Sequence, residues 1–284
     1  MPSLLSTIGI AFLLSGPLAA QEVRTLVPER YRLAAGGSLL LTLEAESLGA
    51  RSECEWPGER IAWLFVRVAG TQENLEQVTS NEAGEGAISR YRIGVEQAGI
   101  ALLGVDLKPR VVTLDAHSFD RFLGTRVGLK PKAPSSPPGE GATVRVRRIE
   151  SAKLLLQSLD EHGQLRNSAD AQSKSGQQAE IRPLADPTAV GLDRDLPVRV
   201  YLPGASGEAI PVIATHVETG RRHRFLTGQG GTGHFTVDRA GVWVVEAHSA
   251  RPLTGDPEAD WELSTATLRF EVPPLVETAE EDER

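Results

Sequence analysis

Residues 233–249 read GHFTVDRAGVWVVEAHS, and the fold turns on how this stretch is arranged. Phe235 and Val237 alternate with His234, Thr236 and Asp238. After "DRAG", Trp243, Val245 and Ala247 alternate with Val242, Val244, Glu246 and His248. A period of two belongs to a strand with one buried side. The Asp and Gly of "DRAG" suit a tight reversal, so the stretch reads as a β-hairpin. Burying Phe235, Trp243 and Val245 contributes roughly 1.5–3 kcal/mol per side chain before entropy is subtracted. His234 and His248 fall on the more polar face, whose simplest reading is the solvated side of a sheet.

The neighbouring sequence extends the pattern. "AEIRPLADP" (179–187) is a short strand ending in a turn, and "DLPVRVYLPG" (195–204) alternates through Val198, Val200 and Leu202. "AIPVIATHVETGRRHRFLTG" (209–228) reads as a hairpin with "ETGR" at its tip, and "ADWELSTATLRFEV" (259–272) as a long closing strand. Several short strands in so few residues suit an immunoglobulin-like sandwich over 179–272. "PPLVETAEEDER" (273–284) follows as an acidic tail with little to bury.

The N-terminal half is also strand-like. "GGSLLLTLEAES" (36–47), "ERIAWLFVRVAG" (59–70), "GAISRYRIGVEQAG" (86–99), "GIALLGVDL" (99–107) and "RVVTL" (110–114) are β runs bounded by turn residues. In the second run Ala62, Leu64, Val66 and Val68 are expected on one face, with Ile61, Trp63 and Phe65 on the other. "DAHSFDRFLGTRVG" (115–128) changes period: Asp115 is a plausible N-cap, and Phe119, Phe122 and Leu123 have helical spacing. These residues form an expected β domain over 21–129 with a short terminal helix. Residues 130–178 read as a linker and helical connector. Pro and Ser dominate "KPKAPSSPPGEG" (130–141), and "VRVRRIESAKLLLQSLDEHG" (144–163) is expected to be a second helix. The expected fold is therefore mainly β, with two β-sandwich-like modules joined by a partly helical, Pro/Ser-rich connector.

Residues 1–20 are of another kind. "LLSTIGIAFLLSG" followed by "PLAA" reads as a secretory signal cleaved after Ala20, which places the mature chain in the periplasm or outside the cell. No transmembrane segment is expected after cleavage. The 284 residues are 40% hydrophobic and 24% charged, with a net charge of -8, which argues against nucleic acid as a partner. The single cysteine, Cys54 in "SECEWPG", has no partner for an internal disulfide, and its flanking glutamates disfavour a reactive thiolate.

Catalytic motifs are not evident. No G-x-S-x-G, H-E-x-x-H or paired-carboxylate arrangement falls on a recognisable element, and no enzyme activity is expected. "GQGGTG" (228–233) lacks the Lys-Ser/Thr of a phosphate loop and joins two strands, so it reads as a flexible hairpin connection. The histidines carry more chemical interest. His216, His223, His234 and His248 crowd into the second module, and Glu246 shares a face with His248. Imidazole suits nickel, cobalt or zinc, so these five residues are the candidate metal ligands. They lack a tight H-x-x-x-H spacing, and no cofactor is otherwise expected.

The segments 179–204, 233–249 and 256–272, together with "RVVTLDAHSFDRFL" (110–123), resemble a bacterial exported family of largely unknown function. Some of its members are described as periplasmic components of cobalt or nickel uptake. The resemblance implies an exported binding or accessory protein that meets a membrane transporter or another envelope protein. Many relatives begin their mature chain with a histidine whose ring and terminal amine form a metal chelate. Here the matching text is "QEVRTLVPERY" (21–31), which keeps Pro28 and Tyr31 but has Glu22 in the histidine position and Thr25 where a tryptophan stands. The alternative is an envelope module that binds protein or carbohydrate and has no metal role.

Overall fold

The computed structural model describes residues 23–47, 50–53, 60–75, 91–129, 142–166, 169–205 and 209–274. The expected signal segment, Cys54, the Pro/Ser-rich run 130–141 and the acidic end of the chain from 275 lie outside the described residues. In chain order the elements are β1 (Val23–Pro28), β2 (Arg32–Ala34), β3 (Gly37–Ser47), β4 (Ala50–Glu53), β5 (Ile61–Val68), β6 (Thr71–Asn74), β7 (Tyr91–Val95), β8 (Gly99–Leu107) and β9 (Arg110–Asp115). A helix, α1 (Ala116–Phe122), runs into a π-helical turn, Leu123–Val127. Then come β10 (Thr143–Leu159), β11 (Glu180–Pro183), β12 (Arg194–Tyr201), β13 (Pro211–His216), β14 (Arg222–Leu226), β15 (Thr232–Val237), β16 (Gly241–Pro252) and β17 (Trp261–Val272).

The protein is mainly β, and the described strands form three sheets. The largest has ten strands, in the order β14-β13-β16-β17-β10-β8-β5-β6, with β2 and β9 also paired to β10. Side-chain alternation gives this central sheet two buried faces. Leu64, Val66, Ala101, Leu103, Leu154 and Leu156 project to one face, where they pack with Leu26, Leu41 and Ile93 of the sheet made by β1, β3, β4 and β7. Phe65, Ile100, Leu102, Leu155, Trp243 and Val245 project to the other, against Ile181, Val198 and Phe235 of the β11-β12-β15 sheet. Two sandwiches thus lie on opposite faces of one continuous sheet.

β10 explains this sharing and corrects the expected helix over 144–163. Its 17 residues are all strand. One edge pairs in parallel with β17 (Val146↔Trp261 to Leu154↔Arg269), and the other pairs antiparallel with β9 and β8. From Glu150 to Ser158 every residue is buried, because sheets cover both faces. Such a strand loses the in–out alternation that identifies half-exposed ones, and its apolar run mimics a buried helix.

The opening stretch is corrected too. β15 and β16 do form, and Phe235, Val237, Trp243 and Val245 are buried as expected. They are not a hairpin, however. β15 pairs with β12, whereas β16 pairs with β13 and β17 in the central sheet. "DRAG" therefore crosses from one sheet to the other, and Phe235 faces Trp243 across the core with ring centroids 5.5 Å apart. Gly241, at φ +117°, completes the crossing in a conformation that side chains rarely adopt. "GQGGTG" likewise passes between sheets, from β14 to β15 through a 3₁₀ turn, rather than closing a hairpin. In β5 a register shift between Ile61 and Trp63 turns Ile61 onto the face of Leu64 and Val66, opposite to expectation.

Other expectations hold. β13 and β14 form the hairpin around "ETGR", and β12, β17 and β8 occupy their expected segments. The Asp115 carboxylate accepts the Ser118 backbone N–H at 2.8 Å and caps α1. Phe119, Phe122, Leu123 and Val127 pack with Val146 and Leu263 on the central sheet.

Buried polar groups tie the middle of the molecule together. Lys153 Nζ donates to Glu180 Oε1 at 2.5 Å, and the Ser175 and Gly176 backbone N–H groups donate to the same carboxylate. Burial pushes the Glu180 carboxyl up, but Lys153 and those N–H groups outweigh it and hold it ionised. Asp106 accepts Ser151 Oγ at 2.6 Å and the Gln178 N–H at 3.0 Å; burial nonetheless raises its carboxyl above the usual range. These bonds seat residues 175–180 on β8 and β10 ahead of β11.

Candidate functional site

The five candidate ligands fall in three separate places. His216, at the end of β13, lies inside the sandwich edge-on to Trp243, with centroids 5.2 Å apart. Its Nε2 is 2.9 Å from the Ala240 carbonyl and 3.1 Å from Glu218 Oε2, and its Nδ1 is 2.9 Å from Thr219 Oγ1. His223 on β14 reaches the same tryptophan at 5.6 Å, with Nε2 3.5 Å from Asp238 Oδ2. His234, on the separate sheet, is exposed beside Asp195 at 3.7 Å. Glu246 and His248 sit on the opposite face of β16, beneath the π turn.

This arrangement corrects the expected wet face. His234 is on the surface, but His248 is buried, with 2% of the residue exposed. Its ring meets Phe122 edge-on at 5.2 Å, and Nδ1 lies 3.1 Å from Thr265 Oγ1. Burial pulls its pKa down to about 3, helped by Arg126 and Arg148, so the ring is neutral at physiological pH. Nε2 has no hydrogen-bond partner and lies 3.9 Å from Glu246 Oε2. Glu246 instead pairs with Arg126 from the π turn. Among the described residues, no group of three or more His, Cys, Asp or Glu side chains is placed to hold a metal ion.

The feature that sequence reasoning missed is the edge of the central sheet. Among the described strands, β14 ends the strand order and pairs only with β13. Backbone bonds from His216 N–H to the Arg221 carbonyl, and from Thr227 N–H to the Ile210 carbonyl, fix the ladder phase. By the alternation of antiparallel bonding, the N–H and C=O groups of Arg222, Arg224 and Leu226 point away from β13. Their side chains are exposed. Arg222 and Arg224 make no ion pair among the described residues, although most other arginines nearby do. Leu226, 63% exposed, is one of two large apolar side chains described as exposed, Val111 being the other.

A groove runs beside this edge. One part, about 240 Å³, is lined by Thr125, Arg126, Ile213, Arg224 and Leu226. The adjoining part, about 210 Å³, is lined by Val127, Leu129, Ile210 and Leu226, with His248 at its base. Both parts share Gly128 and Pro211. Gly128, at φ +71°, ends the π turn and brings the chain against Pro211, whose Cγ would lie 3.1 Å from an added Cβ. The signal in the sequence was "RRHRFL" (221–226), where basic and apolar residues share the outer side of a strand.

No family model matches this chain, and no curated protein matches it. Among solved structures, the chain is similar to a tetra-tandem repeat in the extending region of a large adhesion protein. That likeness has 13% identity and a TM-score of 0.23, over 89% of this chain and 50% of that one. It is also similar to a structure concerned with host cell surface retention of a 1.5-MDa bacterial ice-binding adhesin, at 11% identity and a TM-score of 0.21, over 89% of this chain and 65% of that one. The chain thus spans about half the length of the first structure and just under two thirds of the second. Among the described residues no helix is long and apolar enough to cross a membrane.

Proposed function

We propose that the protein is a non-catalytic interaction module of the cell envelope. It takes an extended, acidic and apolar segment of a partner protein as an added strand on β14. The observation that carries this reading is the β14 edge, where outward backbone groups, two arginines outside any described ion pair and the exposed Leu226 stand side by side. Strand addition draws affinity from main-chain hydrogen bonds and specificity from side-chain pockets. Residues set against Arg222 and Arg224 would be acidic, and a side chain beside Leu226 apolar. The signal-like residues 1–20 support an address outside the cytoplasm.

The same arginines would also discourage unwanted edge-to-edge pairing, and a peptide experiment separates the two roles. The mature chain is titrated with a labelled peptide whose successive alternate positions carry Glu, Glu and Val, and with the same peptide carrying Lys in place of Glu, by fluorescence polarisation. Saturable binding of the acidic peptide alone, lost in Arg222→Glu/Arg224→Glu and weakened in Leu226→Asp, supports the module. Equal binding of both peptides, no binding, or binding indifferent to these substitutions overturns it. An accessory role in nickel or cobalt uptake, which the family resemblance implies, predicts instead a stoichiometric metal site.

A further inference from the structure

Away from β14, a second group of charges has no role in this reading. Glu150 projects from β10 towards the N-terminal sheet and is 4% exposed. Arg148 Nη2 lies 2.9 Å and Arg24 Nε 3.4 Å from its Oε1, and Arg60 Nη2 lies 3.4 Å from its Oε2. Arg110 is the fourth cation. The β9–β10 register sets it opposite Arg148, on the same face, and Glu150, Arg60 and Arg24 all act on it electrostatically. Burial pushes the Glu150 carboxyl up, yet the four arginines outweigh it and keep it ionised.

Among the described residues Glu150 is the one carboxylate paired with these arginines, and Arg148 lies closest to it. Arg60 and Arg110 remain. Arg60 reaches only the far oxygen of Glu150, and Arg110 makes no ion pair among the described residues. The Arg110 Nε is buried without a hydrogen-bond partner. Burial, followed by the neighbouring arginines, disfavours the charge on both groups. A guanidinium held partly out of water is costly when its counter-charge is shared, as at Arg60, or missing among the described residues, as at Arg110, so the pair favours an incoming anion. Planar guanidinium forks match the oxygens of a tetrahedral oxyanion. The gap on the inner side of Glu150, bounded by Arg24, Leu43 and Thr265, is about 10 Å³ and admits one water at most. The approach is therefore from Arg60 and Arg110, which are partly open to solvent.

We infer that Arg60 and Arg110 form the mouth of an anion site, with Glu150, Arg148 and Arg24 as its base. It takes a tetrahedral dianion, sulfate or phosphate, free or carried on a larger molecule as an ester. The mature chain is titrated calorimetrically with inorganic sulfate, inorganic phosphate and phenyl phosphate, with sodium chloride as the control at matched ionic strength. Saturable one-to-one binding of sulfate or phosphate, absent for chloride, is expected. Binding of phenyl phosphate as well assigns the site to a carried group, and its exclusion assigns it to the free ion.

Thermal unfolding supplies the second readout. At ten times the dissociation constant, the bound dianion should raise Tm by roughly 3–5 °C. Sulfate also stabilises proteins by exclusion from their surface, but that effect does not saturate and acts equally on variants. The saturable part should vanish in Arg60→Gln/Arg110→Gln and weaken in Arg60→Lys, which keeps the charge but loses the fork. Absence of a saturable heat with either oxyanion in the unmodified chain overturns the inference, whether or not the double variant folds. An equal saturable rise in the double variant overturns it too.

Discussion

His248 meets Phe122 edge-on, with ring centroids 5.2 Å apart, in the layer between α1 and the central sheet. The contact keeps the imidazole dry, and its pKa falls from 6.5 to about 3. The unfolded chain therefore binds the extra proton. Stability from this group is complete above about pH 6.5 and is lost as the pH falls towards about 3. Within that window its contribution should decline by about 1.4 kcal/mol per pH unit. Urea denaturation at pH 7, 5 and 4 should show a steeper loss in the native chain than in His248→Leu. Parallel losses in the two proteins would mean that His248 is not buried neutral.

Lys153 and Glu180 form the most enclosed ion pair described, with side chains 1% and 0% exposed. Lys153→Met leaves the carboxylate with the Ser175 and Gly176 N–H groups but no cation. A loss of about 3–5 kcal/mol is expected, because the remaining charge stays buried. Adding Glu180→Gln removes that charge and should recover part of the loss. Chemical denaturation of the singles and the double completes the cycle, and additive losses would rule out the coupling.

Gly241 marks the crossing between sheets. A Cβ there would lie 2.6 Å from His216 Nε2 and 3.0 Å from Glu218 Oε2, on a backbone at φ +117°. Gly241→Ala should cost about 2–4 kcal/mol through strain and crowding together. Gly220→Ala is the control: its φ is +69° and nothing stands within 4 Å of the added atom. There only the left-handed backbone opposes the change, at roughly 1–2 kcal/mol. Equal losses at the two sites would show that the contact with His216 is immaterial.

Nickel and cobalt should bind only weakly. His234 and His248 lie on different sheets, and His216 already faces Ala240, Glu218 and Thr219. Calorimetric titration near neutral pH is expected to give weak binding that follows the ordinary affinity order of divalent metals, with copper preferred. His234→Ala/His248→Ala should leave it nearly unchanged. A one-to-one site of about micromolar affinity, roughly -8 kcal/mol, that this double variant abolishes would restore the metal-uptake reading.

The candidate edge illustrates how a site escapes one-dimensional reading. Arg222, Arg224 and Leu226 were recognisable as one side of a strand, and the β13–β14 hairpin was legible from "ETGR". That β14 is the last strand of its sheet depends on which strand β13 takes on its other side. The answer is β16, far along the chain. Likewise His234 and His248 follow the same local alternation, yet His234 is exposed whereas His248 is buried, because α1 and the π turn cover that face of β16.

By itself the amino-acid order determined the β class, most strand positions, the Asp115-capped helix and the inward set Phe235, Val237, Trp243 and Val245. All of these depend on local propensity and on a period of two against a single core. Only the tertiary structure decided that β10 is a strand, that "DRAG" crosses between sheets, and that both faces of the central sheet are covered. Each depends on partners distant in the chain: β10 pairs with β17 only after the whole second sandwich has been threaded between them. A strand buried on both sides carries apolar residues on both, and this removes the periodic signal through which a sequence reveals its sheets.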